Sequence, residues 1–420
     1  MVGVTWVAMT TLAVTLAPIQ ASPDDRLYGR VTTAAGDVFE GYLRWDRNEG
    51  SWVDLLSGSK ELPWENARDA ERLGPADGRD RGNRHSIDIL GLRISWTDDD
   101  DEDRFPRSAT SGIRFGHIRT LEVRGRNRAS LVLKSGEEIE FEDGSTDLGD
   151  DLRELLVDDA DRGEVSLRWR DLERVDFLPV PRLAPEPRAA RLYGTLRTRG
   201  GDTFTGFVSW DVDEILTTDV LDGEERGRDR KIPFGSIAAI ERNGSSGARV
   251  HLRNGDEVVL RDSNDVDDDN RGIGISDPGL GQVLVEWDEF DSIDFEPVPA
   301  GVGGYDAFDG GEALYGTVET EAGERLTGWI RWDNDEEYSW EILDGRYRDL
   351  DMDIEFGLIE GIRKRASWGA EVRLRDGRVF ELEDSNDVDE GNKGVYVLLE
   401  DGDLVRVDWW DFREVAFAHR

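Results

Sequence analysis

The phrase RLYGRVTTAAGDVFEGYLRWD, beginning at Arg26, returns as RLYGTLRTRGGDTFTGFVSWD at Arg191 and as ALYGTVETEAGERLTGWIRWD at Ala313. A fixed internal period constrains architecture strongly, because every copy must fold alike and bury its apolar surface on itself or on a neighbour. IRFGHI at Ile113, IPFGSI at Ile232 and IEFGLI at Ile354 follow in the same order. The copies close on VSLRWRDLERVDF, VLVEWDEFDSIDF and VRVDWWDFREVAF. One spacing separates Tyr193 from Tyr315, Trp210 from Trp332, Phe234 from Phe356 and Trp287 from Trp409.

The chain therefore divides into repeat 1 (residues 22–180), repeat 2 (191–298) and repeat 3 (313–420). Repeat 1 carries an insertion at about 59–112. The linkers, residues 181–190 and 299–312, fall within the Pro-rich text PVPRLAPEPRAA and the Gly-rich text PVPAGVGGYDAFDGGE. The insertion, with its run WTDDDDED at Trp96, reads as a solvated surface excursion.

Within each copy the apolar period is two. In repeat 2, runs such as TFTGFVSW, ARVHLR, DEVVLRD and QVLVEW alternate in the manner of half-buried strands, and no stretch offers a sustained helical face. Asn254-Gly255 and Asp376-Gly377 are tight-hairpin dipeptides, with glycine supplying the positive φ. Each copy resolves into two sets of five short strands, so the expected fold is all-β: three tandem repeats, each of two small five-stranded units, six in total.

The two halves of a repeat also match each other, as IPFGSIAAI beside VEWDEFDSI shows. A glycine-turn hairpin ending in such a phrase resembles the small five-stranded barrels of Sm-like and PRC-barrel domains, over most of residues 26–420. The resemblance implies a fold and no particular activity, since those families include RNA-binding, ribosome-associated and envelope modules.

Charge narrows the partners. With 93 Asp and Glu against 52 Lys and Arg, the formal charge is -41, which repels phosphate backbones and disfavours nucleic acid. There is no cysteine, which excludes disulfides, thiolate metal sites and thiol catalysis. Val2 to Ala17 is uncharged and largely apolar, and PIQAS then precedes the polar DDR. That pattern predicts a secretory signal over residues 1–21, cleaved after Ala21. No later segment is apolar enough to span a membrane, so the expected location is periplasmic or secreted.

Catalysis needs converging titratable groups. His85, His117, His251 and His419 occupy non-equivalent places in the repeats, and His117 and His251 lie in strand text as structural histidines would. The sequence has no nucleophile elbow, P-loop, HExxH or dinucleotide turn. The expected role is a noncatalytic binding or scaffold protein with an envelope protein or polysaccharide as partner. A hydrolase acting on an envelope polymer through unassigned carboxylates is the enzymatic alternative.

Aromatic residues divide by face. Trp45-Asp46, Trp210-Asp211 and Trp332-Asp333 are each followed by an acid, Glu49, Glu214 or Glu336, as a sugar platform would require. Yet Trp210 shares its strand face with Val208, and Trp332 with Ile330, which assigns these tryptophans to a core. Trp169, Trp287 and Trp409 read the same way. Tyr42, Phe207 and Trp329 lie on the opposite face and are expected either exposed or at an interface between modules.

The six residues DSNDVD occur at both Asp262 and Asp384, and repeat 1 has the looser DGSTDLGDD. Calcium takes six to eight oxygens. Asp262, Asn264, Asp265, Asp267 and Asn270 supply several from one loop, as do Asp384, Asn386, Asp387, Asp389 and Asn392. The spacing is not that of an EF-hand, and Asp and Asn also bond to backbone in turns. Two readings follow: a calcium-stabilised module, or a hydrogen-bonded turn anchored by Val266, Val388 and, in repeat 1, Leu148.

Overall fold

A computed structural model describes residues 23–73, 85–89, 92–96, 108–142 and 145–418. The expected signal segment, residues 1–21, lies outside the described residues. The chain folds as antiparallel β-structure in two large sheets of ten and twenty strands, as the period of two predicts.

Repeat 2 defines the strand order. Its strands are β1 (Tyr193–Thr198), β2 (Thr203–Ser209), β3 (Val220–Glu224), β4 (Asp229–Pro233) and β5 (Ile237–Arg242), then β6 (Gly247–Leu252), β7 (Glu257–Arg261), β8 (Ile273–Asp277), β9 (Gly281–Val285) and β10 (Phe290–Phe295). The IPFGSI phrase ends β4 and makes the single 3-10 turn Phe234–Ser236 that leads into β5.

Two five-stranded sets form, but they are not the consecutive ones. One runs β9-β8-β2-β1-β10 and the other β4-β3-β7-β6-β5. The opening hairpin of the first half thus joins the last three strands of the second half, and the hairpin of the second half joins the last three strands of the first. Pairing of β5 with β10 ties the sets together. This is a strand exchange inside one chain, equivalent to the domain swap of a dimer. Local pattern does not reveal it, because the halves carry the same hairpin and either hairpin completes either set. Repeats 1 and 3 pair in the same order.

The cores match the face assignments. Trp45, Trp210, Trp332, Trp169, Trp287 and Trp409 are all buried, and Trp210 meets Phe290 edge to face with ring centroids 5.4 Å apart. Repeats 2 and 3 share one continuous core and one sheet, because β9 pairs with the strand Leu350–Glu355. Repeat 1 keeps its own core, to which Trp340 of repeat 3 contributes.

The insertion leaves repeat 1 at the tip of a hairpin whose strands are Leu55–Glu61 and Ser108–Arg114, where Glu61 faces Ser108. Its described portion corrects the expectation of a solvated excursion. A helix, α1 (Trp64–Leu73), buries Asn66, Asp69 and Ala70. Arg331 of repeat 3 donates to Asn66 Oδ1 at 2.7 Å, and Asn66 Nδ2 donates to the Asn334 carbonyl at 3.2 Å. The helix's apolar residues Trp64, Ala67, Ala70 and Leu73 recur at helical spacing, and its docking face sets Asn66 and Asp69 beside the buried Ala70. Residues 97–107, with most of the acidic run, lie outside the described residues. No helix among the described residues is long and apolar enough to cross a membrane.

Candidate functional site

The two acidic phrases that look separate in sequence meet in space. The turn after β2 begins with Asp211 and Val212 in the left-handed region, at φ 47 and 61. It faces the loop between β7 and β8 that carries DSNDVD. Trp210 Nε1 donates to the Asp265 carbonyl at 2.8 Å. The Asp211 carboxylate accepts from the Arg271 backbone N–H at 2.7 Å, from Asn264 Nδ2 at 2.6 Å and from the Arg271 guanidinium at 2.9 Å. Asp265 Oδ2 accepts from the Asp222 N–H on β3 at 2.6 Å. The loop therefore joins strands of both exchanged sets.

The other predicted loop oxygens are also engaged locally. Asn270 Oδ1 accepts from Gly272 N at 2.9 Å and Asp267 Oδ1 from Asp269 N at 3.1 Å, while Asp262 opens the turn at φ 58. Repeat 3 repeats the arrangement. Trp332 Nε1 donates to the Asp387 carbonyl at 2.9 Å, and Asn386 and the Lys393 N–H donate to Asp333. Asp387 accepts from Asp344 N at 3.0 Å, Asp389 from Gly391 N at 2.6 Å and Asn392 from Gly394 N at 2.9 Å, with Asp384 at φ 61. In repeat 1 the degraded loop keeps the same core of bonds: Trp45 Nε1 to the Asp147 carbonyl, Arg153 N to Asp46, and Ser57 N to Asp147. Val266, Val388 and Leu148 are fully buried beneath the loops. These contacts describe a latch whose carboxylates bind backbone N–H groups.

Asn264→Asp separates the latch from a cation loop. The added carboxylate would strengthen a calcium site, but in the latch it faces Asp211 at hydrogen-bond distance. The expected result is a loss of about 1–3 kcal/mol in thermal or urea unfolding, unrelieved by millimolar calcium at fixed ionic strength.

Behind each latch stands the acid of the Trp-Asp phrase. Glu49 is 1% exposed and neither of its carboxylate oxygens has a hydrogen-bond partner; Glu214 Oε2 and Glu336 Oε2 are likewise buried and unbonded. Burial, and then the neighbouring Asp213, Asp265 and Asp211, push the Glu214 carboxyl up to about 9. Glu49 and Glu336 are raised well above the usual range, first by burial and then by adjacent aspartates. The Glu214 carboxyl therefore holds its proton at neutral pH. Asp211, Asp213 and Glu214 form a compact acidic group, and Arg271 and Arg153 close on it at 2.6 Å and 2.9 Å from Asp213.

His117, expected in a strand, instead ends the 3-10 turn Phe115–His117. His117 is buried, its Nδ1 accepts from Gly310 N at 3.1 Å, and its Nε2 lies 3.3 Å from Glu355.

A second arrangement lies on the outer face of the exchanged sheet. Strand register puts four residues in a row across the four strands equivalent to β1, β2, β8 and β9. In repeat 1 the row is Tyr28, Tyr42, Asp158, Glu164. In repeat 2 it is Tyr193, Phe207, Ser276, Gln282. In repeat 3 it is Tyr315, Trp329, Leu398, Leu404. The three aromatic candidates separate here: Tyr42 is 4% exposed and Phe207 0%, whereas Trp329 is 40% and its neighbour Leu398 41%.

The linkers account for the difference. Leu178 N donates to the Tyr28 carbonyl, Val180 packs on the core of repeat 1, and Tyr42 Oη donates to the Pro185 carbonyl at 2.9 Å. In repeat 2, Glu296 N donates to the Tyr193 carbonyl, and Val298 and Val302 pack on Tyr193 and Phe207 together with Val53 of repeat 1. Sequence reading placed the three aromatics on the right face. It missed Leu398 and Leu404, which join that face only through the strand exchange. No protein-family model matches the chain, and a search of curated proteins finds no match to it.

Proposed function

We propose that the protein is a noncatalytic binding or scaffold protein of the cell envelope or extracellular space, and that it holds a protein ligand on the outer face of repeat 3. One observation carries this reading. The row Tyr315, Trp329, Leu398 and Leu404 is the most apolar of the three equivalents, and within it Trp329 is 40% and Leu398 41% exposed. Contiguous exposed apolar surface of this kind marks interaction sites. Leucines beside the tryptophan suit a polypeptide better than a sugar, which needs hydrogen-bonding partners around the stacking ring. The N-terminal apolar stretch supports export.

Peptide display tests the reading. The wild-type chain is expected to enrich a set of peptides that Leu398→Glu binds at least tenfold less well. Because Leu398 is 41% exposed, the substitution should leave the free energy of unfolding within about 0.5 kcal/mol of wild type. Failure to enrich any peptide, or enrichment indifferent to Leu398→Glu, would remove the proposal.

A further inference from the structure

The internal linkers show what this kind of face accepts. After the last strand of repeat 1 the chain reads Leu178-Pro179-Val180-Pro181, and after that of repeat 2 it reads Glu296-Pro297-Val298-Pro299. Both segments begin with the same bond, from the residue after the closing phenylalanine to the carbonyl of the first tyrosine of the row. Both then place the valine of Pro-Val-Pro in apolar contact, Val180 in repeat 1 and Val298 against Tyr193 and Phe207 in repeat 2. Prolines hold such a segment extended before it docks, so little conformational entropy is lost on contact.

Repeat 3 starts the same way and then departs. Ala418 N donates to the Tyr315 carbonyl, as Leu178 and Glu296 do at their tyrosines. The text that follows is His419-Arg420, with no Pro-Val-Pro. In the aligned sequences Arg420 stands where the other two copies have Val180 and Val298.

The composition of the row changes in the same repeat. Asp158 and Glu164 in repeat 1, and Ser276 and Gln282 in repeat 2, become Leu398 and Leu404. A tethered segment is held at high effective concentration and needs little affinity. A segment supplied by another molecule pays for association and requires more apolar contact, which the two leucines provide.

We infer that the outer face of repeat 3 binds an extended Pro-Val-Pro-type peptide segment from a partner protein, in the place that the chain's own linkers take in repeats 1 and 2. The inference rests on the binding role proposed above and names the ligand class of that face.

The test uses the full chain and a synthetic peptide with the sequence of residues 178–187, titrated by calorimetry. Saturable binding is expected below about 1 mM. Leu398→Glu should weaken it at least tenfold, as should replacing the peptide's Val-Pro by Asp-Gly. A scrambled peptide of equal charge should not bind, which separates recognition from attraction of an arginine-bearing peptide to an acidic protein. Val379→Glu, at an exposed apolar residue on another strand, should leave binding unchanged.

Absence of saturable binding, or binding indifferent to Leu398→Glu, overturns the inference. If display enriches other sequences in a Leu398-dependent way while the Pro-Val-Pro peptide fails, the ligand class is wrong and the binding role stands. Sedimentation provides the last arm: self-association abolished by Leu398→Glu and untouched by the peptide would make a second copy of the chain the occupant, and overturn the inference.

Discussion

Asp54→Ala is expected to cost the protein about 3–5 kcal/mol, the range found when one partner of a buried ion pair is removed and the other charge remains. Arg191 of repeat 2 is 1% exposed and donates to Asp54 Oδ1 of repeat 1 at 2.9 Å. The same guanidinium donates to the Val208 and Ile215 carbonyls at 2.8 Å and 2.9 Å. The other oxygen of Asp54 accepts from the Gly50 and Ser51 N–H groups at 2.7 Å and 2.8 Å. Alanine would strand the arginine, leave two turn donors unbonded, and loosen repeat 1 from repeat 2.

Double replacement separates these costs. Asp54→Leu with Arg191→Met removes both charges and is expected to recover more than half of the loss, since well-packed apolar groups often replace a buried pair without net cost. Asp202→Ala, which breaks the more exposed pair of Asp202 with Arg348 between repeats 2 and 3 at 2.6 Å, should cost under about 1 kcal/mol. Urea unfolding gives the energies, and amide exchange at residues 50–56 and 189–193 reports the boundary. An Asp54→Ala loss below about 1 kcal/mol would contradict the assigned role.

The position of Asp54 is used three times, each with a different cation. Asp219 accepts the turn N–H groups of Ile215 and Leu216 and pairs with Arg44 of repeat 1. Glu341 accepts those of Glu337 and Tyr338 and pairs with Lys60 of repeat 1. The carboxylate is part of the repeat, but Arg191, Arg44 and Lys60 stand at unrelated positions. A reader of the sequence finds the repeated acid and cannot find its partners.

The same limit explains what else was legible. Alternation fixes the strand faces, so the buried tryptophans and the outward aromatic position could be read from Val208, Trp210 and Phe207 alone. Turn chemistry could be read from Asn254-Gly255, where Gly255 sits at φ 90. Pairing between distant strands could not. The first and second halves of a repeat carry one pattern, so no local preference tells β2 to pair with β8. Everything that depends on that exchange stayed hidden: the latch of Asp211 on Asn264, and the row that brings Leu398 beside Trp329. Helix α1 was legible in the spacing of Trp64, Ala67, Ala70 and Leu73, but the segment is a single short helix in an otherwise all-β pattern, and its partners Arg331 and Asn334 lie far along the chain.

Glu214→Gln is expected to flatten the dependence of stability on pH. In the unfolded chain this carboxyl ionises near 4.5, and in the folded chain burial raises it to about 9. Below the lower value both states carry the proton, and the buried acid imposes no penalty. As pH climbs toward 9 the unfolded chain releases its proton first, so the folded state loses stability across that window. Asp147, pushed up to about 7 by burial, acts in the same direction, as do Glu49 and Glu336. The wild-type thermal midpoint should therefore rise as pH falls from 8.5 to 5.5. Glutamine keeps the shape of Glu214 without the titration. It should gain about 2 kcal/mol at pH 8.5, allowing for screening of a group that is not fully buried, and close to nothing at pH 5. The acid limb ends lower down, because groups such as Glu154, held below its usual range by the Ser166 hydroxyl and then by Arg47, lose their stabilising charge as they protonate. Midpoint curves for Glu214→Gln and wild type that stay parallel from pH 5.5 to 8.5 would show that this proton is not bound differently in the two states, and that the latch tolerates a charged glutamate behind it.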